Sequence, residues 1–301
     1  MKKKSNNFLR FFIDLVQFLI IGIIYVVFYY LPFSWVSNGI GFIARFSLIY
    51  LPFSQRAYKN IELVMPELSF PERKKIVAGM WENFARTFFE YMSLARFKIY
   101  KPNSRVEVVG SEIIEQLHKN GGPAILFLAH LAHWELATMV GTQKGLKITQ
   151  LYRRLNYPLT DKIINFIHRK IAQNVITKGP EGARKILETL KKGEIVSILL
   201  DQKLREGESI PFFGIPAMTP SAPARIALKF DCPFIPIQVE RLPNAHFRVT
   251  YHPPLKPRIK GSLEEKTTDL LIQMNELFES WIRQHPEQWL WLHRRWPKNL
   301  V

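Results

Sequence analysis

The 301 residues carry a formal net charge of +17, 47% hydrophobic residues and one cysteine, Cys232. A single cysteine excludes an internal disulfide and a cysteine-rich zinc site, and the apolar fraction excludes a generally disordered chain. The excess of positive charge points to a polyanionic partner: nucleic acid, an anionic membrane surface, a phosphorylated lipid or an acidic carrier protein.

The N-terminus begins basic, with Lys2, Lys3, Lys4 and Arg10, and then runs uncharged from Leu15 to Phe33. That run approaches the ~20 residues needed to cross a bilayer. Tyr25, Tyr29, Tyr30 and Trp35 crowd its far end, as interfacial aromatics do. A second apolar stretch, residues 34–53, contains Arg45 and several small polar residues. It reads as a helix lying on or dipping into the membrane. Residues 1–53 are therefore expected to form a membrane anchor with an interfacial helix, and residues 54–301 the main domain.

The domain opens with a long amphipathic helix from Ser69, whose spacing to Glu72 predicts a capping box. Val77, Met80, Trp81, Phe84, Phe88 and Tyr91 recur on its apolar face. From residue 105 strands and helices alternate: "RVEVVG", "PAILFLA", "KITQLYR", "NVIT", "EIVSILLD", "PFIPIQVE" and "FRVTYH" read as strands, with helices between the earlier ones. A capping box at Ser262 and Glu265 starts a closing helix that runs to about His285. The pattern predicts an α/β fold, a mixed sheet flanked by helices. Reactive groups in such sheets gather at the carboxyl ends of strands, where His130 and Asp201 both fall.

"LFLAHLAHWELAT" places His130, His133 and Glu135 directly after a buried strand. A metal site would need three or four ligands, and neither H-E-x-x-H nor H-x-x-E-H order is present; no metal or cofactor is expected. An acid/base pair needs only His130 and Glu135. Residues five apart do not meet on a regular helix, but they can if His130 lies on the strand-to-helix turn and Glu135 in the first helical turn. A carboxylate on one ring nitrogen fixes the tautomer and makes the other nitrogen the base. His133 then needs no chemical role. With no G-x-S-x-G elbow and no credible cysteine nucleophile, a hydroxyl attacking an activated acyl group directly fits better than a covalent intermediate.

These residues resemble a known family, the bacterial lipid A late acyltransferases of lauroyl/myristoyl type, within the lysophospholipid acyltransferase superfamily and its His-x4-Asp/Glu motif. The stretches "LYRRLNYPLTDKIINFIHRK", "LKKGEIVSILLDQK", "IPFFGIPAMTPSAPARIALKF", "PFIPIQVE" and "HPEQWLWLHRRWP" agree with it in order. The resemblance implies an enzyme moving a fatty acyl chain from acyl carrier protein to a hydroxyl of a phosphorylated glycolipid, a lipid A precursor. His130 would be the general base and Glu135 its partner. Arg169 and Asp201 lie where the family has functional residues and would bind substrate, and Arg153 or Arg154 would contact phosphate or sugar. The implied location is the bacterial inner membrane, with the catalytic domain on the cytoplasmic face. A different glycolipid or a lysophospholipid is the alternative acceptor. A membrane-tethered binding protein without catalysis is the distant one. No helix-turn-helix, zinc-finger or RNP-type pattern supports a nucleic-acid partner. "GPEGARK", residues 179–185, looks like the glycine-rich segment of the wider superfamily, but it precedes the strand ending at Asp201 and takes no function from that likeness.

Overall fold

A computed structural model of the chain describes residues 11–20, 22, 23, 26, 30–152, 158, 159, 161, 162, 166, 171, 172, 174–177, 180–297, 299 and 300. The body is a seven-stranded sheet in the order β1-β9-β8-β2-β5-β3-β4. Its strands are β1 (Val106–Val109), β2 (Ala124–Leu128), β3 (Ile148–Tyr152), β4 (Asn174–Thr177), β5 (Ile195–Leu199), β8 (Phe234–Leu242) and β9 (His246–Tyr251). Only the β8–β9 pairing is antiparallel; the other neighbours run parallel, so the sheet is mixed. β6 (Glu208–Phe212) and β7 (Ile215–Thr219) form a separate antiparallel hairpin. The strand reading of the sequence did not include it.

The pleat explains why β2 sits centrally. Successive side chains of a strand point to opposite faces, and all five residues of β2 are buried. Ile125 and Phe127 join one core, with Leu270, Met274, Phe278 and the buried tryptophans Trp289, Trp291 and Trp296. Ala124, Leu126 and Leu128 join another on the opposite face, with Leu136, Met139 and Val140. A strand covered on both sides cannot slip by one residue without exchanging its two sets of apolar side chains.

Both predicted capping boxes form. In α4 (Phe70–Met92) the Ser69 backbone N–H donates to Glu72 Oε2 at 2.7 Å. In α9 (Leu263–Gln284) the Ser262 N–H donates to Glu265 Oε2 at 2.8 Å, and the Glu265 N–H donates to Ser262 Oγ at 3.2 Å. The remaining helices are α1 (Phe11–Ile20), α2 (Phe33–Ser47), α3 (Ser54–Val64), α5 (Ser111–Asn120), α6 (Glu135–Gln143), α7 (Pro180–Lys191) and α8 (Ala222–Lys229).

Among the described residues no single helix is long and apolar enough to cross a membrane. The run from Leu15 to Phe33 lies partly outside the described residues. Phe33–Tyr50 and Ser54–Val64 meet at an 85° bend and pass the length and composition test only as a pair. α2 packs on α4: Gly41 faces Arg86 so closely that an added Cβ would collide with its side chain. Ser37 Oγ donates to the buried Glu90 at 2.6 Å, and Arg45 pairs with Glu82 at 2.7 Å. α2 and α4 are thus joined by these side-chain contacts. Arg56 donates to the Leu292 carbonyl at 3.0 Å, and Arg73 pairs with Glu62 at 2.6 Å.

Candidate active site

β2 and β5 are parallel neighbours with Leu128 opposite Leu199. Two residues further along each chain, this register brings His130 beside Asp201. The Nδ1 atom of His130 lies 2.7 Å from Asp201 Oδ1, and the His130 backbone N–H donates to Oδ2 at 3.0 Å. Trp289 Nε1–H donates to the same Oδ2 at 2.8 Å. Asp201 is buried. Burial alone would raise its pKa. The opposing charge of His130 and the hydrogen bonds from its ring, its amide and Trp289 outweigh that, and hold the carboxyl well below the usual carboxylate range. Asp201 is therefore an anion that fixes the His130 tautomer, with the proton on Nδ1 and the lone pair on Nε2.

That lone pair faces an amide. Gln202 Nε2 is 3.0 Å from His130 Nε2 and 2.7 Å from His293 Nε2. Because His130 carries its proton on Nδ1, Gln202 is the donor to Nε2. The rings of His130 and Trp134 meet edge-on at 5.2 Å, and His130 and His293 lie 5.4 Å apart. The His130 side chain keeps 13% exposure, so the base is reachable from outside.

The loop carrying His130 is held in an unfavourable shape. Ala132 has φ of +48°, which costs a residue with a Cβ roughly 1–2 kcal/mol. Two buried contacts keep it there: the Ala132 N–H donates to the Gln288 carbonyl at 3.0 Å, and Thr87 Oγ1 donates to the Ala132 carbonyl at 2.9 Å. Below the loop, Arg241 Nη1 and Nη2 clamp the two oxygens of Glu90 at 2.7 and 2.8 Å. Arg241 also donates to Asn83 Oδ1 and Thr87 Oγ1. His133 is wholly buried between Phe97 and Phe247, and among the described residues neither ring nitrogen has a hydrogen-bond partner. Burial pushes its pKa down to about 4, with Glu90 opposing and Arg241 reinforcing the shift. His133 is a neutral structural ring.

Glu135 begins α6 but does not reach the His130 ring. Its Oε1 accepts from Trp134 Nε1 at 3.2 Å and its Oε2 from Gln150 Nε2 at 2.8 Å. The left-handed turn at Ala132 separates the strand end from the helix start, and Asp201 occupies Nδ1. The hydrogen bond expected between Glu135 and His130 is thus replaced by one from Asp201, which the sequence reading had placed among substrate contacts. Arg153, Arg154 and Arg169 lie outside the described residues. Among the described residues no cluster of three His, Cys, Asp or Glu side chains converges as for a metal ion.

The closing "WLWLHRRW" packs into the site. Trp289, Trp291, Arg295 and Trp296 are all buried. Arg295 donates to the Met218 carbonyl and to Thr219 Oγ1 at 2.9 and 2.8 Å, with its guanidinium over the Phe212 ring. Burial lowers its pKa to about 10, with Asp201 opposing. Asn60 Nδ2 donates to the Trp291 and His293 carbonyls, which fastens α3 to this segment. Trp289, Gln202 and His293 are site residues that sequence reasoning did not assign. The adjacency of Gln202 to Asp201 was the only signal for one of them. Glu181 and Arg184 form exposed pairs along α7 with Lys185 and Glu188.

A histidine at a strand end of a mixed α/β sheet, five residues before a glutamate and held by a buried carboxylate, is placed to act as a general base. The sequence model of the bacterial lipid A biosynthesis acyltransferase family matches residues 1–298, and the chain belongs to that family. The lipid A biosynthesis myristoyltransferase of Escherichia coli K12 is 24% identical over 240 residues, 79% of this chain and 73% of that protein. The lauroyltransferase of the same organism is 27% identical over 248 residues, 79% and 77% of the two chains. The palmitoleoyltransferase is 27% identical over 263 residues, 83% and 82%. A crystal structure of a 1-acyl-sn-glycerophosphate acyltransferase from Thermotoga maritima gives a TM-score of 0.36 at 14% identity over 90% of this chain and 97% of that one.

Proposed function

We propose that this acyltransferase of lipid A biosynthesis moves a fatty acyl chain from the thioester of acyl carrier protein to a hydroxyl of a phosphorylated glycolipid, a lipid A precursor. The observation that carries the reading is the 2.7 Å contact between His130 and Asp201, which leaves one imidazole lone pair for chemistry. The acceptor hydroxyl displaces Gln202 from Nε2 and gives up its proton there. The oxygen attacks the thioester carbonyl. The tetrahedral intermediate collapses, the carbon–sulfur bond breaks, and the proton on Nε2 passes to the leaving sulfur. Asp201 stabilises the transient imidazolium and stays ionised throughout. Glu135 adds negative potential beside Trp134 without touching the ring. Arg153, Arg154 and Arg169 remain proposed contacts to the acceptor's phosphates or sugar, since bidentate guanidinium binding suits phosphate oxygens.

The enzyme works at the inner membrane, with its catalytic face toward the cytoplasm, where its carrier-protein donor is made. Supporting this, Trp35, Phe42, Ile43, Phe46, Tyr50 and Phe53 are each more than half exposed along α2 and the turn after it, an apolar patch of the kind that marks membrane or protein contacts.

Purified enzyme with acyl carrier protein thioesters and, in parallel, a lipid A precursor, another glycolipid and a lysophospholipid tests the acceptor. Mass spectrometry should find product from the first alone. Equal or greater product from either alternative moves the assignment to that acceptor. Folded His130→Ala enzyme that turns over normally would refute the mechanism. Reporter fusions at residues 5 and 60 test the topology, and a periplasmic signal at residue 60 would separate the enzyme from its donor.

A further inference from the structure

A cavity of about 440 Å³ opens beside the start of α2, apart from the histidine site. Four cations line it: Arg96, Lys98, Lys101 and Arg105. Its lining contains no carboxylate. Lys98 and Lys101 are exposed and form no salt bridge among the described residues. The first turn of α2 holds no acidic residue and no side-chain cap, so its backbone N–H groups leave positive potential at the same opening.

Strand directions place the cavity. β1 is parallel to β9, β9 is antiparallel to β8, and β8 is parallel to β2. β1 therefore runs against β2, and Arg105 at its start lies on the sheet edge where β2 ends in His130. Three strand spacings separate the two, roughly 14 Å. The cavity wall also reaches the catalytic loop through packed rings. Phe33 meets Phe97 at 5.2 Å, and Phe97 meets His133 at 6.0 Å.

We infer that this cavity binds the phosphate of an anionic phospholipid headgroup at a site distinct from that of the reacting substrates. The cations and the helix start supply a phosphate cradle. Trp35, on the same rim and 78% exposed, begins the apolar row of α2. A headgroup in the cavity lets its acyl chains run along that row, an arrangement a soluble polyanion cannot use. The inference does not depend on the transfer reaction, because binding is read without turnover.

The test titrates the detergent-solubilised full chain with dihexanoyl phosphatidylglycerol, dihexanoyl phosphatidylcholine or inorganic phosphate in a calorimeter. Phosphatidylglycerol should saturate one site, and the other two should bind at least tenfold more weakly. Lys98→Ala/Lys101→Ala should weaken phosphatidylglycerol by roughly 10- to 30-fold, since each lysine near an anionic headgroup contributes about 1 kcal/mol. Transfer between detergent-dispersed substrates should stay at the wild-type rate. Lys191→Ala/Lys192→Ala removes the same charge elsewhere and should leave binding intact. Equal weakening by both double variants would reduce the effect to net charge and overturn the site. Inorganic phosphate binding as tightly as the lipid would overturn the lipid source. An increase in acceptor KM in Lys98→Ala/Lys101→Ala, with phosphatidylglycerol binding unchanged, would overturn the inference and reassign the cavity to the acceptor.

Discussion

His130 and Asp201 stand 71 positions apart in the chain and 2.7 Å apart in space. The hydrogen bonds and the neighbouring ring hold the Asp201 carboxyl ionised at neutral pH. Asp201→Asn should keep the fold, because an amide still accepts from Trp289 and the His130 N–H. It should lower kcat by about 10²–10⁴-fold, through loss of the tautomer and of imidazolium stabilisation. Steady-state kinetics beside circular dichroism check this, and a folded variant at wild-type rate would remove Asp201 from the mechanism.

Glu135→Gln separates the two carboxylates. Its oxygens meet Trp134 and Gln150, not the histidine. The substitution should cost less in kcat than Asp201→Asn, by at least tenfold. The reverse ranking would restore Glu135 as the principal partner of the base.

In the proposed mechanism Gln202, 3.0 Å from His130 Nε2, sits where the acceptor hydroxyl must come. Breaking its hydrogen bond to Nε2 costs about 1 kcal/mol before substrate can bind productively. Gln202→Ala should therefore lower the acceptor KM by roughly fivefold and leave kcat nearly unchanged. A large fall in kcat would show instead that the amide serves the transition state.

His133 predicts an acid weakness. Its pKa is lowered in the folded chain, from the ordinary 6.5 to about 4. The unfolded chain thus binds the extra proton between those values, and stability falls as pH falls through this window. The charged groups facing it are Glu90 and Arg241. Between pH 7 and pH 5 this one residue accounts for about 2 kcal/mol. His133→Phe should flatten the urea-midpoint profile over that range. An unchanged slope would assign the acid sensitivity to other groups.

Arg241→Met should destabilise the enzyme by about 3–5 kcal/mol, because it strands the buried Glu90 carboxylate. Adding Glu90→Leu should recover a substantial part of the loss. Denaturation of both single variants and the double gives the coupling. Strict additivity would mean that the pair does not interact energetically.

The sheet was legible because its strands are short apolar runs set off by capped helices, a pattern that survives without knowledge of the partners. The β6–β7 hairpin was not. Pro211 and Pro216 sit opposite each other in it, and proline argues against a strand wherever a ladder needs its N–H. Phe213 and Gly214 both turn with positive φ, and Phe–Gly is not a common hairpin signal. In the site, the positions of His130 and Asp201 at strand ends followed from the sequence, but their contact depends on β2 lying next to β5. That neighbour relation is a property of sheet order, which local pattern does not encode. The Glu135 reading assumed a smooth strand-to-helix turn, and the left-handed Ala132 redirects the chain there. The tail's three tryptophans suit a membrane interface, a base-stacking surface or a core equally well by composition. Burial and hydrogen bonds decide the matter: Trp289 donates to Asp201, Trp291 to the Pro286 carbonyl and Trp296 to the Phe212 carbonyl.

The fastening of α3 to the Trp289–Trp296 segment sets a timetable for biosynthesis. A ribosome makes Asn60, then His130, then Asp201, and only much later Trp289 and His293. Until then Asp201 lacks its indole donor and Gln202 its second histidine. A nascent chain without its tail therefore lacks a completed site, and acyl transfer should begin only when translation has passed Trp289 and His293. Stalled chains that end before Trp289 should show no transfer, however well their sheet has formed.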